Sequence, residues 1–165
     1  MFPTARHGAS ARLPSGFTIL ELLTVLMIAA VLMTFGAMGL NKAAAQRGAG
    51  SARDSYVWLA RRGRALAIQR GTNVTVRLRS STKQAKLMLG TTLVDQIAFD
   101  PQFQASVTLS SGDSVVICYT PRGIVSATCS FPVSGSTMTP MTVTFRRGVV
   151  SAVAVVQALG QVEAK

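Results

Sequence analysis

Histidine is almost missing from this sequence: there is one, His7, and it lies ahead of the first long apolar run. Cysteine is held to two, Cys118 and Cys129. The six acids, Glu21, Asp54, Asp95, Asp100, Asp113 and Glu163, are scattered without a repeated short spacing. These shortages exclude most enzyme chemistry. A general-base histidine, a pair of cooperating carboxylates and a His/Cys metal box all need residue types that this chain concentrates nowhere. Nothing resembles a phosphate-cradling glycine loop or a nucleophile motif either. Serine and lysine occur as in most proteins, so counting does not decide a serine–lysine pair. No catalytic residue, metal ligand or cofactor is expected.

Basic residues and apolar runs are what the sequence does have. Of 165 residues 48% are hydrophobic, which fits one long apolar helix and one small domain of roughly 100 residues. Lys and Arg total 17 against the 6 acids, for a formal charge of +11. Without Arg6 and Arg12, which precede the apolar run, 15 basic residues still face 6 acids, net +9, and no histidine remains. Such a surface favours polyanions such as nucleic acid or acidic lipid; solubility alone is the plainer explanation.

Phe17 to Leu40 is a run of 24 residues whose only charge is Glu21. As a helix rising about 1.5 Å per residue it reaches roughly 36 Å, enough for a bilayer core of about 30 Å. A secretory signal is the competing reading, with Ala43, Ala44 and Ala45 as its cleavage site, but such signals have apolar cores of about 7–15 residues and seldom hold an acid. Lys42, Arg47 and Arg53 follow the run as Arg6 and Arg12 precede it, so positive charge alone does not set orientation.

The short basic leader, then Gly16, Phe17, Thr18, Ile19, Leu20 and Glu21, then an unbroken apolar helix, resembles the type III signal of type IV pilins and type II secretion pseudopilins. The resemblance implies that a prepilin peptidase cuts on the cytoplasmic side between Gly16 and Phe17 and that Phe17 is then N-methylated. It implies a single-pass anchor in the bacterial inner membrane, a C-terminal domain in the periplasm, and partners in other pilins or pseudopilins and in an inner-membrane assembly platform. On this reading residues 1–16 are the leader, 17–40 the transmembrane and assembly helix, 41–70 its second half, and 71–165 the periplasmic β domain.

The resemblance also gives the acid a physical role. A lone carboxylate in an apolar bundle costs several kcal/mol unless paired. A cut after Gly16 frees an α-amine on Phe17, one helical turn away. Glu21 neutralises such an amine, its own or, as the family's assembly model implies, the neighbouring subunit's; the alternative is an acid tolerated near the interface by snorkelling to water. The family often has a proline about twenty residues past the cut; here Gly36 and Gly39 stand instead, either loosening the helix or forming a small-residue packing face.

Beyond Asn41 the helix changes character. Ala52, Tyr56, Leu59, Gly63, Leu66 and Ala67 fall on one arc at 100° per residue, while Arg53, Arg61 and Arg64 fall on another. Trp58 lies off the apolar arc, where packing is favoured over ligand stacking. The run GSARDSYVWLARRGRALAIQRG, stopping at Gly71, resembles the helix-to-domain junction of the GspH/FimT-type branch. Period-two runs follow: Val74–Arg79, Lys86–Leu89, Thr92–Phe99, Ser106–Leu109, Val115–Thr120, Ile124–Cys129, Met141–Phe145 and Val149–Val156. The expected fold is therefore α+β and pilin-like, a long N-terminal helix packed on a small antiparallel β domain.

Ten residues separate Cys118 from Cys129, and an exported domain favours a disulfide between them. Pro121, Arg122 and Gly123 read as a tight turn, which sets Cys118 opposite Val125 or Ser126, so Cys129 must belong to a segment that bends back. Some FimT-like minor pilins bind DNA through a Gly-Arg-x-Arg tail. Here the tail reads Gly160, Gln161, Val162, Glu163, and that route does not carry over. A weaker route remains through Arg77 and Arg79 on one strand face, Arg122 at the hairpin tip, and Arg146 and Arg147 before Gly148, which contact phosphates if they converge. The expected function is that of a GspH/FimT-type minor pilin in type IV pilus assembly or priming, with a type II secretion minor pseudopilin, or a DNA-binding minor pilin of natural transformation, as alternatives.

Overall fold

The computed structural model describes residues 18–130, 133–134 and 137–165, with the backbone alone at residues 35–38, 133–134 and 137–138. The leader with Arg6, His7, Arg12 and Gly16 lies outside the described residues, and so does Phe17. Contacts divide the chain into two units after Gly39.

Helix α1, Ile19–Arg70, opens with Thr18, whose Oγ1 accepts the Glu21 amide at 3.2 Å and so satisfies one of the donors that a helix start leaves free. In the first unit the large apolar side chains from Ile19 to Met33 are exposed. The helix is long and apolar enough to cross a bilayer. It continues without a break through Gly36 and Gly39.

In the second unit α1 buries the expected stripe: Ala52, Tyr56, Leu59, Gly63 and Ala67 are buried and Leu66 partly so, while Arg61 and Arg64 stay exposed. Helix and sheet approach closely at Gly63, since a Cβ there would stand 2.7 Å from Val76 Cγ2 and 3.0 Å from Leu87 Cδ1. Gly71, at φ +63°, ends the helix. Trp58 does not pack into this core. It is 53% exposed and lies under the guanidinium of Arg62, 5.0 Å from the ring centre. Arg62 in turn pairs with Asp95.

After α1 come β1 (Val74–Arg79), β2 (Gln84–Leu89), β3 (Thr92–Ala98), the short α2 (Phe99–Phe103), β4 (Ser106–Leu109), β5 (Ser114–Tyr119), the two-residue strands β6 (Val133–Ser134) and β7 (Thr137–Met138), β8 (Met141–Arg147), β9 (Val150–Val156) and β10 (Val162–Ala164). Two four-stranded antiparallel sheets result, ordered β3-β2-β1-β5 and β10-β9-β8-β4, with β6 and β7 paired as a hairpin. Val74, Val76 and Leu78 of β1, Val115 and Ile117 of β5, and Val143 and Phe145 of β8 turn inward to one core with the α1 stripe. Phe145 sits between Tyr56 and Phe99, at ring-centre distances of 5.9 and 5.1 Å. Burial of side chains this size, roughly 1.5–3 kcal/mol each, is the main force holding helix to sheets.

One expected strand is absent. Ile124–Cys129 forms only an isolated bridge, Tyr119 to Val125. The Ser126 amide still reaches the Cys118 carbonyl at 2.9 Å, as a hairpin requires, but the chain then turns, and the Ser130 amide closes on the Ser126 carbonyl at 3.2 Å. This turn is the bend that returns Cys129 to Cys118. The two are joined as a disulfide across a Cα separation of 5.8 Å.

Candidate functional site

Two groups of residues stand out, one on each unit. In the first unit Glu21 occupies the opening turn of α1, the end at which helix peptide dipoles favour an anion. Its backbone is tied by Thr18 ahead of it and by Thr24, whose Oγ1 donates to the Glu21 carbonyl at 2.9 Å. The carboxylate itself has no ion pair among the described residues. Around it Ile19, Leu20, Leu22 and Leu23 are exposed. An acid held at the head of an uncovered apolar helix is the arrangement that a docking amine would complete.

In the second unit the five arginines singled out from the sequence do not share a face. Arg77 and Arg79 project from the exposed side of β1. Arg122 lies beyond Tyr119 at one end of β5, whereas Arg79 pairs with Ser114 at the other. Arg146 folds back on its own turn, its Nε donating to the Gly148 carbonyl at 3.0 Å. Arg147 is committed to the fold: it donates to the Ala44 carbonyl at 3.1 Å and to Gln104 Oε1 at 2.6 Å, tying α1 to the segment after α2.

A different cation joins the pair on β1. Lys86 of β2 stands directly opposite Arg77, and Gln84 opposite Arg79. Together with Thr82 they line a shallow depression of about 110 Å³. Neither Arg77, Arg79 nor Lys86 has an ion-pair partner among the described residues. Sequence alternation placed Lys86 at the start of a strand but said nothing of the register that sets it against Arg77. Among the described residues no group of three His, Cys, Asp or Glu side chains comes together.

The sequence matches no protein-family model and no curated protein. Likeness appears at the level of structure. The type IV minor pilin FimU of Pseudomonas aeruginosa PAO1, in two crystal forms, aligns at a TM-score of 0.50 in each, with 11% and 12% identity, covering 71% and 70% of this chain and 87% and 91% of FimU. The minor pseudopilin EpsH of the Type 2 Secretion System of Vibrio cholerae aligns at 0.48 with 13% identity, over 71% of this chain and 95% of its own. At such identities what FimU and this chain share is the fold, a helix packed on antiparallel sheets, as in a type IV minor pilin.

Proposed function

We infer that the chain is a minor pilin, processed after Gly16 by a prepilin peptidase, N-methylated on Phe17, anchored in the inner membrane through α1 and incorporated into a type IV pilus by an assembly platform. Its role is structural rather than enzymatic. The observation that carries this reading is Glu21: one carboxylate without a partner among the described residues, at the head of an uncovered apolar helix, on a chain with the minor-pilin fold. A freed α-amine at Phe17 supplies the missing positive charge, and its pairing with Glu21 of a neighbouring subunit sets the register in which helices pack. The type II secretion minor pseudopilin stands as the alternative machine, since the leader and helix serve both.

Mass spectrometry of the protein recovered from cells tests the reading. The expected chain begins at Phe17 and carries one N-methyl group. An intact leader, or an end near Ala43, Ala44 or Ala45, removes the Phe17 amine and the reading with it.

A second role is favoured by the Arg77 and Lys86 juxtaposition: non-specific contact with the phosphates of DNA by Arg77, Arg79 and Lys86. Two or three such contacts give weak, strongly salt-dependent binding. Retardation of duplex DNA by the detergent-solubilised chain at low salt, lost as salt rises, is the expected result, and no retardation at low salt rejects it.

A further inference from the structure

The second unit carries a groove that none of these roles uses. This groove is made of two adjoining depressions of about 290 and 200 Å³, both lined by Arg64, Tyr119, Gly160 and Gln161. Its floor is fixed: Tyr119 is buried, and its Oη donates to the Gly160 carbonyl at 2.9 Å. Gly160, at φ +72°, presses so closely on Val125 that a Cβ there would overlap it. The rim is apolar, with Ile124 57% and Leu159 71% exposed.

The helix side of the groove is cationic. Arg61 and Arg64 stand three residues apart on α1, and neither forms an ion pair among the described residues. The turn at Gly123 lies beside Arg64, since a Cβ on Gly123 would stand 3.3 Å from its Nε. One acid, Glu163, shares the wall and accepts from Gln157 Nε2 at 3.4 Å, which leaves the two arginines in excess over it.

Like charges one helical turn apart repel, and apolar side chains at a rim stay in water, unless a ligand covers both. Guanidinium groups recognise carboxylates through paired N–H donors. The fitting ligand therefore presents carboxylates to Arg61 and Arg64 and apolar side chains to Ile124 and Leu159. Nucleic acid gains nothing from the apolar rim. A second copy of the chain is disfavoured by sign, since it too has 17 basic residues against 6 acids.

We propose that this groove docks an acidic segment bearing apolar side chains from a different protein. Its occupancy does not depend on how the leader is processed. The test is a photo-crosslinking amino acid at position Leu159 of the full-length chain in its own cells, with the adduct mapped by mass spectrometry. The expected adduct joins the chain to a different protein through a peptide containing Asp or Glu beside apolar residues. It is lost in the Arg61→Glu, Arg64→Glu double variant and kept in Arg77→Ser. Should the charge reversal lower the amount of chain in the membrane, the Arg61→Gln, Arg64→Gln variant takes its place with the same expected loss. An adduct between two copies, a nuclease-sensitive adduct, a captured peptide without acids, a yield indifferent to the arginine changes, or no protein adduct overturns the proposal. The intact mass of the same chain reports leader removal separately, so a missing adduct on a chain that begins at Phe17 counts against the groove alone.

Discussion

Arg77 faces Lys86 across the β1–β2 pair, one cation directly opposite another on the exposed side of the sheet. Like charges so placed destabilise a sheet, whereas an opposite-charge pair contributes roughly 0.2–1 kcal/mol. Lys86→Glu is thus expected to raise the melting temperature of the chain by a small amount and, in the same protein, to abolish low-salt retardation of duplex DNA. Thermal unfolding and gel shift read the two effects. A variant that melts higher yet retards DNA as before takes this face out of the DNA reading.

Glu21 sets up a separation of functions. Replacing one residue among the many apolar ones of α1 leaves the helix no less able to enter a bilayer, since removing a charge only lowers the cost of insertion. Glu21→Val is therefore expected to be inserted and to lose its leader normally but to be missing from sheared filaments. Fractionation into membrane and filament pools measures this. Equal incorporation of Glu21→Val and the unaltered chain would mean that the carboxylate is not the docking group.

The Cys118–Cys129 bridge closes a short loop that holds little regular structure of its own. Its stabilisation on the chain-entropy account is about 3 kcal/mol. The bend it secures also supplies Ser130, whose Oγ accepts the buried Cys118 amide at 3.0 Å. Cys118→Ser with Cys129→Ser is expected to lower stability by about that amount and to expose the 126–130 turn to proteolysis before the rest of the domain. Denaturant unfolding with timed proteolysis checks both, and an unchanged midpoint would show that packing alone fixes the turn.

Local periodicity explains which features were readable from sequence. The stripe from Ala52 to Ala67 and the alternation of Val74, Val76 and Leu78 follow from the geometry of a single helix and a single strand, so residue spacing alone reveals them. IVSATC has the same alternation as a strand, yet beyond Ser126 the chain turns back to the bridge with Cys118. The even spacing of its apolar residues carries no sign of that. Arg147 looks free in sequence because its acceptors, Ala44 and Gln104, come from distant segments. The Arg77 and Lys86 pairing needed the register, and the groove at Arg64 needed three separate segments to meet. Helix α2 and the three-residue β10 were too short to leave a period at all.

Tyr56 is fully buried against Phe145, and its hydroxyl finds no partner among the described residues. A buried hydroxyl left unpaired costs about 1–3 kcal/mol, while the ring gives the packing. Tyr56→Phe is expected to stabilise the chain by roughly 1 kcal/mol, and Tyr56→Ala to destabilise it by roughly 3–5 kcal/mol through the cavity it leaves. Thermal melts of the two variants decide the point. If Tyr56→Phe melts lower than the parent, the hydroxyl is bound to a buried water.

Tyr119 presents the opposite case, a buried hydroxyl with a partner. Burial pushes its phenol from the ordinary value near 10 up to about 12, while the nearby Arg64 pulls it the other way. A folded-state value above the unfolded one means that the neutral form is favoured by the fold. The corresponding stability is fully present below about pH 10 and is lost as pH rises from there through about 12. The chain is thus expected to melt at falling temperatures from about pH 10 upward, with Tyr56, whose phenol burial also raises, contributing to the same limb. Tyr119→Phe is expected to lose about 1 kcal/mol at neutral pH, because the Gly160 carbonyl is left without its donor. It is also expected to show a shallower alkaline slope in a Tyr56→Phe background. Because Tyr119 and Gly160 form the floor of the groove, the same substitution is expected to weaken the Leu159 adduct without touching either arginine. An alkaline slope identical in the two proteins would show that the phenol does not titrate with the fold, and an undiminished adduct would separate the floor from the binding of the acidic segment.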